Sequence, residues 1–202
     1  MKKLKVALNN LVMGRLWAQC RSNIEAAVVP GSGGVVLLGD SITHIGRWEM
    51  LFPGLTIYNF GISGERSDQL LTRLAPLTSL RPEKVFLLIG TNDLAIGYSV
   101  DEIAANVAGI LDQLGDALPA CKIHLQTLMP RTAKFTARIK ALNAAYARLA
   151  QQRGLALIDL FPLFDNGSGA IRKDLSNDDL HLMGAGYDIW RKALAPYLLA
   201  AS

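Results

Sequence analysis

Two hydrophobic periods alternate along this chain, and that alternation restricts its fold more than any other feature. Five apolar runs of strand length, rich in β-branched and aromatic residues, occur at Val35–Leu38, Leu55–Phe60, Val85–Ile89, Lys122–Leu128 and Leu155–Leu160. Between them apolar residues recur at helical spacing: Leu70, Leu71 and Leu74; then Ile103, Val107, Ile110, Leu111 and Leu114; then Ile139, Leu142, Ala145, Tyr146 and Leu149. A last helix is expected from about Ala185 to Leu199, with Ile189, Trp190, Leu194 and Leu198 on its apolar side. Strands and helices in strict alternation predict βαβ units, and hence an α/β fold with a five-stranded parallel sheet covered by helices on both faces. The longest irregular stretch, Phe164 to Asp179, is rich in glycine and polar residues, and a loop of that length is expected to be functional or mobile.

Composition narrows the partners. The 202 residues suit one domain spanning 1–202, and no internal repeat or linker divides them. Half of the residues are hydrophobic and 19% are charged, a globular rather than a disordered balance. A net charge of +4, with no basic block beyond Met1-Lys2-Lys3-Leu4-Lys5, argues against nucleic acid as a partner. Cys20 and Cys121 form no disulfide framework and no zinc spacing, so they are expected to be buried apolar side chains, and neither a metal nor an organic cofactor is expected. No apolar run is long enough for a bilayer span, so no integral membrane association is expected. Lys2 and Lys3 look like the start of a signal peptide, but Asn9-Asn10 break the apolar stretch Val6–Met13, and Gln19 is too large for a lipoprotein cleavage site before Cys20. Residues 1–30 therefore read as a helical segment, Leu4 to Ala27, docked on the body, and the chain as cytoplasmic. No feature of the sequence specifies an oligomeric state.

The chemically unusual residues all fall where strands end. After the first strand comes Gly39-Asp40-Ser41-Ile42; after the second, Asn59-Phe60-Gly61-Ile62-Ser63-Gly64; after the third, Gly90-Thr91-Asn92-Asp93; and before the last helix, Asp178-Asp179-Leu180-His181. In open parallel sheets, ligands bind beyond the carboxyl ends of the strands. A serine becomes a nucleophile when a base takes its proton, and His181 is a candidate base among only three histidines. Asp178, three residues earlier, is spaced to reach the distal imidazole nitrogen, fix its tautomer and stabilise the imidazolium; Asp179 competes for that role, and the three-residue spacing favours Asp178. Candidate donors to a developing oxyanion are the backbone N–H of Ser41, the N–H of Gly64 and the side-chain amide of Asn92. Asp40 and Asp93 read as structural, His44 as an exposed polar residue, His124 as a satisfied strand histidine, and Trp17, Trp48 and Trp190 as packing residues. Leu94, Ile96, Met129, Leu182 and Met183 are candidates to line an acyl groove. There is no G-x-S-x-G, so the α/β-hydrolase nucleophile elbow is absent. The P-loop is absent too, and Gly31-Ser32-Gly33-Gly34 precedes a strand instead of following one, which removes the dinucleotide fingerprint.

Gly39-Asp40-Ser41-Ile42, Gly64, Asn92 and Asp178–His181 resemble the four motif blocks of the SGNH, or GDSL-type, hydrolases, from about Val35 to Trp190. Leu38–Thr43 and Ile89–Asp93 are most similar to the branch holding the catalytic subunits of platelet-activating-factor acetylhydrolase and small bacterial esterases. Ile42 replaces the leucine of the GDSL string, a packing change. The resemblance implies a three-layer αβα, flavodoxin-like sandwich and a Ser41–His181–Asp178 triad. It also implies an oxyanion hole from Ser41, Gly64 and Asn92. The expected activity is hydrolysis of a small, short-acyl carboxylic ester. A lysophospholipase or acyl-thioesterase, a carbohydrate O-acetylesterase, an acyltransferase and an inactive flavodoxin-like binding module are the alternatives.

Overall fold

The computed structural model describes residues 2–199. Its strands are β1 (Val35–Gly39), β2 (Ile57–Gly61), β3 (Lys84–Leu88), β4 (Lys122–Gln126) and β5 (Ala156–Ile158). They form one all-parallel sheet in the order β2-β1-β3-β4-β5. That is the flavodoxin order, and a parallel sheet buried on both faces explains why β1 and β3 are apolar at nearly every position. Right-handed crossovers dictate where the helices go: a connection running outward from β1 to β2 lies on one face, and those stepping through β3, β4 and β5 lie on the other.

The side chains follow that rule. On one face are the short helices α2 (Ser41–Ile45) and α3 (Trp48–Leu51) and the last helix, α10 (Gly184–Leu198). Trp48 and Trp190 meet edge-on with ring centroids 4.8 Å apart, and Trp190 Nε1 donates to Gln126 Oε1 at 2.7 Å. His124 in β4 lies flat on Phe86 at 4.4 Å and edge-on to Tyr197 of α10, and burial, which disfavours the charged ring, pulls its pKa down. The opposite face carries α7 (Val100–Ala117) and α8 (Thr136–Arg153), packed against each other. α7 opens with a capping box: Ser99 Oγ accepts from the Glu102 N–H, and Glu102 accepts from the Ser99 N–H. Ile103, Val107, Ile110, Leu111 and Leu114 then point into the core as their spacing predicts.

Several expected boundaries shift for local reasons. Leu70, Leu71 and Leu74 do not share one helix: α4 (Ser67–Leu70) ends, and α5 (Ala75–Leu80) begins with Pro76 in its first turn, where a continuous helix would meet the proline ring. β4 ends at Gln126 and β5 at Ile158 because side chains take over the ladder: Asn143 Oδ1 accepts the Leu128 N–H and Thr127 Oγ1 accepts the Leu160 N–H, both at 2.8 Å. The stretch 164–179 is tied to the body at several points. After α9 (Phe161–Phe164), bridges join Arg131 to Ala170 and Asp165 to Ile171, and Ile171, Leu175 and Ser176 are buried. Cys20 and Cys121 are half-buried rather than core residues. At the amino end, α1 (Lys2–Ala27) lies on the body, with Trp17 as its buried anchor. Among the described residues, no helix is long and apolar enough to cross a membrane.

Candidate active site

β1 lies between β2 and β3, so the chain leaving β1 and the chain leaving β3 diverge at the topological switch point. Gly39 is in register with Gly61 of β2 and Leu88 of β3, and three loops therefore leave the sheet at one level. The approach is close: a Cβ on Gly39 would stand 2.3 Å from the Leu88 carbonyl oxygen, so only glycine fits. Ser41 follows as the first residue of α2. Asp40 caps the helix, its Oδ1 accepting from the Ile42 N–H at 3.0 Å. At the first helical position the Ser41 N–H has no intrahelical acceptor.

His181 reaches this serine from the far end of the chain. Its Nε2 is 2.9 Å from Ser41 Oγ, and its Nδ1 is 2.6 Å from Asp178 Oδ2. Asp178 is itself held by donors: its Oδ1 accepts from the His181 N–H at 2.7 Å and the Leu180 N–H at 3.0 Å, and Ser176 Oγ lies 3.2 Å away. Partial burial opposes its ionisation, but the hydrogen bonds from the His181 ring, the His181 N–H and the Leu180 N–H outweigh burial and hold its pKa down at about 2. An ionised Asp178 accepts a hydrogen bond from the Nδ1–H of His181, which keeps the proton on Nδ1 and leaves Nε2 as the acceptor facing Ser41. Asp179 turns away. Its φ is 63°, and its carboxylate pairs with Lys173. Tyr187 of α10 donates to the Ile42 carbonyl at 2.7 Å and ties the helix that follows His181 to the helix that begins at Ser41.

The loop that carries Gly64 and the first turn of α6 (Thr91–Ile96), which carries Asn92, are stitched together. Asn92 Nδ2 donates to the carbonyl of Glu65 at 2.9 Å, one residue past Gly64, which leaves its second amide hydrogen for another acceptor. Gly64 has φ 75°, a left-handed conformation that favours glycine. Beneath the loop, the buried Glu65 carboxylate accepts from Arg73 Nε at 2.7 and 2.9 Å, while Arg73 Nη2 donates to the Phe60 carbonyl at 2.7 Å. Asp93 accepts from the Ser67 N–H and hydroxyl; its burial is the larger effect and raises its pKa to about 6.

A sequence profile described as the GDSL-like Lipase/Acylhydrolase family matches residues 37–189. The chain belongs to this family. It is 28% identical over 177 residues to platelet-activating factor acetylhydrolase IB subunit alpha1 of Bos taurus, covering 82% of this chain and 75% of that one. A solved Streptococcus pneumonia structure that carries a provisional platelet-activating-factor name superposes with a TM-score of 0.85 at 26% identity, over 97% of this chain and 99% of that one. A GDSL-like lipase from Bacteroides thetaiotaomicron gives a TM-score of 0.74 at 25% identity, over 88% and 95%. Family and relatives together make this GDSL-like chain an ester-hydrolysing enzyme.

Parts of the site escape a reading of the family motifs. Arg131, just past β4, donates to the Thr91 carbonyl at 3.1 Å and packs 4.4 Å from the Phe135 ring centroid, and it faces both Asp40 and Asp178 electrostatically. Its sequence signal is its position at a strand's carboxyl end. Trp17 does more than pack: Nε1 donates to the Ser63 carbonyl at 2.9 Å, beside Gly64. His44 is exposed but not alone, with Nδ1 3.0 Å from Ser63 Oγ. Of the residues expected to line an acyl groove, Leu94, Met129 and Leu182 are buried in the core, whereas Ile96 is half-buried and Met183 exposed.

Proposed function

We propose that residues 1–202 act as one hydrolase domain that cleaves small, short-acyl carboxylic esters through Ser41, His181 and Asp178, by way of a covalent acyl-enzyme. The observation that carries this reading is the unbroken chain from Ser41 Oγ to His181 Nε2 at 2.9 Å and from His181 Nδ1 to Asp178 Oδ2 at 2.6 Å. Ser41 Oγ attacks the ester carbonyl carbon while His181 Nε2 takes its proton. The carbonyl oxygen becomes an oxyanion, which the N–H groups of Ser41 and Gly64 and the free amide hydrogen of Asn92 receive. Collapse breaks the bond to the alcohol, which leaves with the proton from His181. Water then attacks the acyl-serine, His181 again takes a proton, and the acid departs as Ser41 regains its hydrogen. Asp178 stays ionised throughout and stabilises the imidazolium.

The short-acyl preference rests on the surroundings of Ser41. Leu94, Met129 and Leu182 near this edge are buried in the core, and the stretch 164–179 presents Arg172, Lys173, Asp174 and Asp179, a poor roof for a long chain. The relatives' names carry the word acetylhydrolase. Each buried methylene is worth about 0.8 kcal/mol, so a groove would reveal itself as a rise in kcat/KM along a series. Acetyl, butyryl, octanoyl and palmitoyl aryl esters, compared below any micelle threshold, are expected to give a maximum at acetyl or butyryl. A maximum at octanoyl or longer transfers the assignment to a lysophospholipase or acyl-thioesterase.

A further inference from the structure

α1 has two apolar faces, and the body covers only one. The covered face holds Met13, Trp17 and Ile24, with Trp17 bonded to Ser63 and the flanking Asn9 and Asn10 within reach of the Arg66 guanidinium at 3.4 and 3.3 Å. On the opposite side, Leu4, Leu8, Leu11, Val12 and Leu16 are between 41% and 80% exposed. At 100° per residue these five fall within an arc roughly 140° wide, centred across the helix from Trp17. An apolar stripe of this kind on a helix that is already docked has no role in folding the body.

The charge along the helix says what covers it. Lys2, Lys3, Lys5, Arg15 and Arg21 precede the first acidic residue of the segment, Glu25. Lys2 and Arg21 pair with Glu102 and Glu65, whereas Lys3, Lys5 and Arg15 are exposed; Lys5 and Arg15 fall inside the arc of the stripe, and Lys3 stands on the helix flank about 80° beyond its edge. A second copy packed on this face would bring like charges together with no acid to meet them. An anionic lipid surface meets both features: apolar side chains enter the acyl boundary while lysine and arginine reach the headgroups. We propose that the exposed face of α1 docks the enzyme on anionic membranes, lying in the interface with Leu4, Leu8, Leu11, Val12 and Leu16 inserted. α1 sits on the loop that carries Gly64, so docking holds that loop about one helix diameter, roughly 10 Å, from the lipid. The inference concerns where the enzyme sits and holds whatever ester it cleaves.

Flotation with vesicles of phosphatidylglycerol and phosphatidylcholine, against phosphatidylcholine alone, tests it with the full chain. The wild type is expected to float with the anionic vesicles only and to be released by salt. The triple variant Lys3→Gln/Lys5→Gln/Arg15→Gln is expected to bind on the order of 100-fold more weakly, and Leu8→Ser/Leu11→Ser to lose binding. Both variants should hydrolyse a water-soluble aryl ester at the wild-type rate, which reports an intact fold. If the serine variant loses that activity, the charge variant and the salt series on the wild type decide. Failure of the wild type to bind anionic vesicles overturns the proposal, as does binding that none of the substitutions weakens. A dimer in light scattering that Leu8→Ser/Leu11→Ser dissolves, without vesicle binding, assigns the face to a second copy.

Discussion

Two aspartates flank Ser41, and the protein treats them in opposite ways. Asp178 stands in a partly solvated loop with four donors on its carboxylate, and its pKa is held at about 2. Asp40, the residue before the serine, is fully buried; its Oδ1 takes one backbone N–H, and among the described residues its Oδ2 has no partner. Burial dominates there and pushes its pKa up to about 7. Proximity to the nucleophile therefore does not make a triad acid. A carboxylate can stabilise an imidazolium only if it stays charged, and it stays charged where donors outnumber the losses of desolvation. Asp40 is instead a helix cap, and burial favours its neutral form because an unpaired buried carboxylate costs far more than an unpaired carboxylic acid.

The comparison breaks most sharply at the acidic pair Asp178 and Asp179. Asp178→Asn is expected to lower kcat by about three to four orders of magnitude, because the amide stabilises the wrong histidine tautomer. Asp179→Asn should remain within about two-fold of wild type, since asparagine also tolerates the left-handed backbone at φ 63°. Measured kcat values in the reverse order would move the acid to Asp179. The pH profile sharpens the same point. With Asp178 ionised down to about pH 2, kcat/KM should rise with pH in a single imidazole limb, and a second limb near pH 4 to 5 would contradict it.

A smaller effect is expected at the oxyanion donors. Asn92→Ala should reduce kcat by about 100- to 1,000-fold with KM little changed, the signature of an interaction made in the transition state. A variant whose KM rises while kcat holds would instead mark Asn92 as a substrate anchor. Smallest is the contribution of Asp40 to stability. Its folded pKa, about 7, lies above the ordinary 3.8, so the folded state binds the extra proton between those values. Stability from this group is thus present below about pH 4 and lost as pH rises towards 7. Asp40→Asn removes that dependence, and the variant's Tm relative to wild type should climb by roughly 3–6 °C between pH 5 and pH 8. A constant difference across that range would show that Asp40 is ionised in the folded protein.

How much of this was legible in the sequence differs between elements. The five strands and the long helices α7, α8 and α10 stand where their periodicities put them, because each buries a continuous apolar face in one sheet. The strand ends were not legible, since Thr127 and Asn143 cut the ladders with side-chain hydrogen bonds that no apolar pattern encodes. Ser41, His181 and Asp178 were picked out by residue type and spacing, and the structure brings them within hydrogen-bond distance of one another. The support beneath them was hidden. Glu65 and Arg73 form a buried ion pair eight residues apart, and Arg66 is buried against α1, yet in sequence all three look like ordinary surface charges. Leu94, Met129 and Leu182, candidates for an acyl groove, lie in the core for the converse reason: proximity to a strand end does not tell whether an apolar side chain faces the site or the core.

Labelling with a serine-directed organophosphate, read by peptide mass, reports whether Ser41 is the activated nucleophile. An activated nucleophile reacts only where a base is in place. The account predicts one adduct, on the peptide at Ser41, formed by wild type and by Asp179→Asn, absent in Ser41→Ala, and at least 1,000-fold slower in His181→Ala. Loss of the label should run in parallel with loss of aryl-ester hydrolysis, while the far-ultraviolet circular dichroism of the variants matches wild type. An adduct on another serine, or a Ser41→Ala enzyme that keeps a large share of its activity, would contradict it.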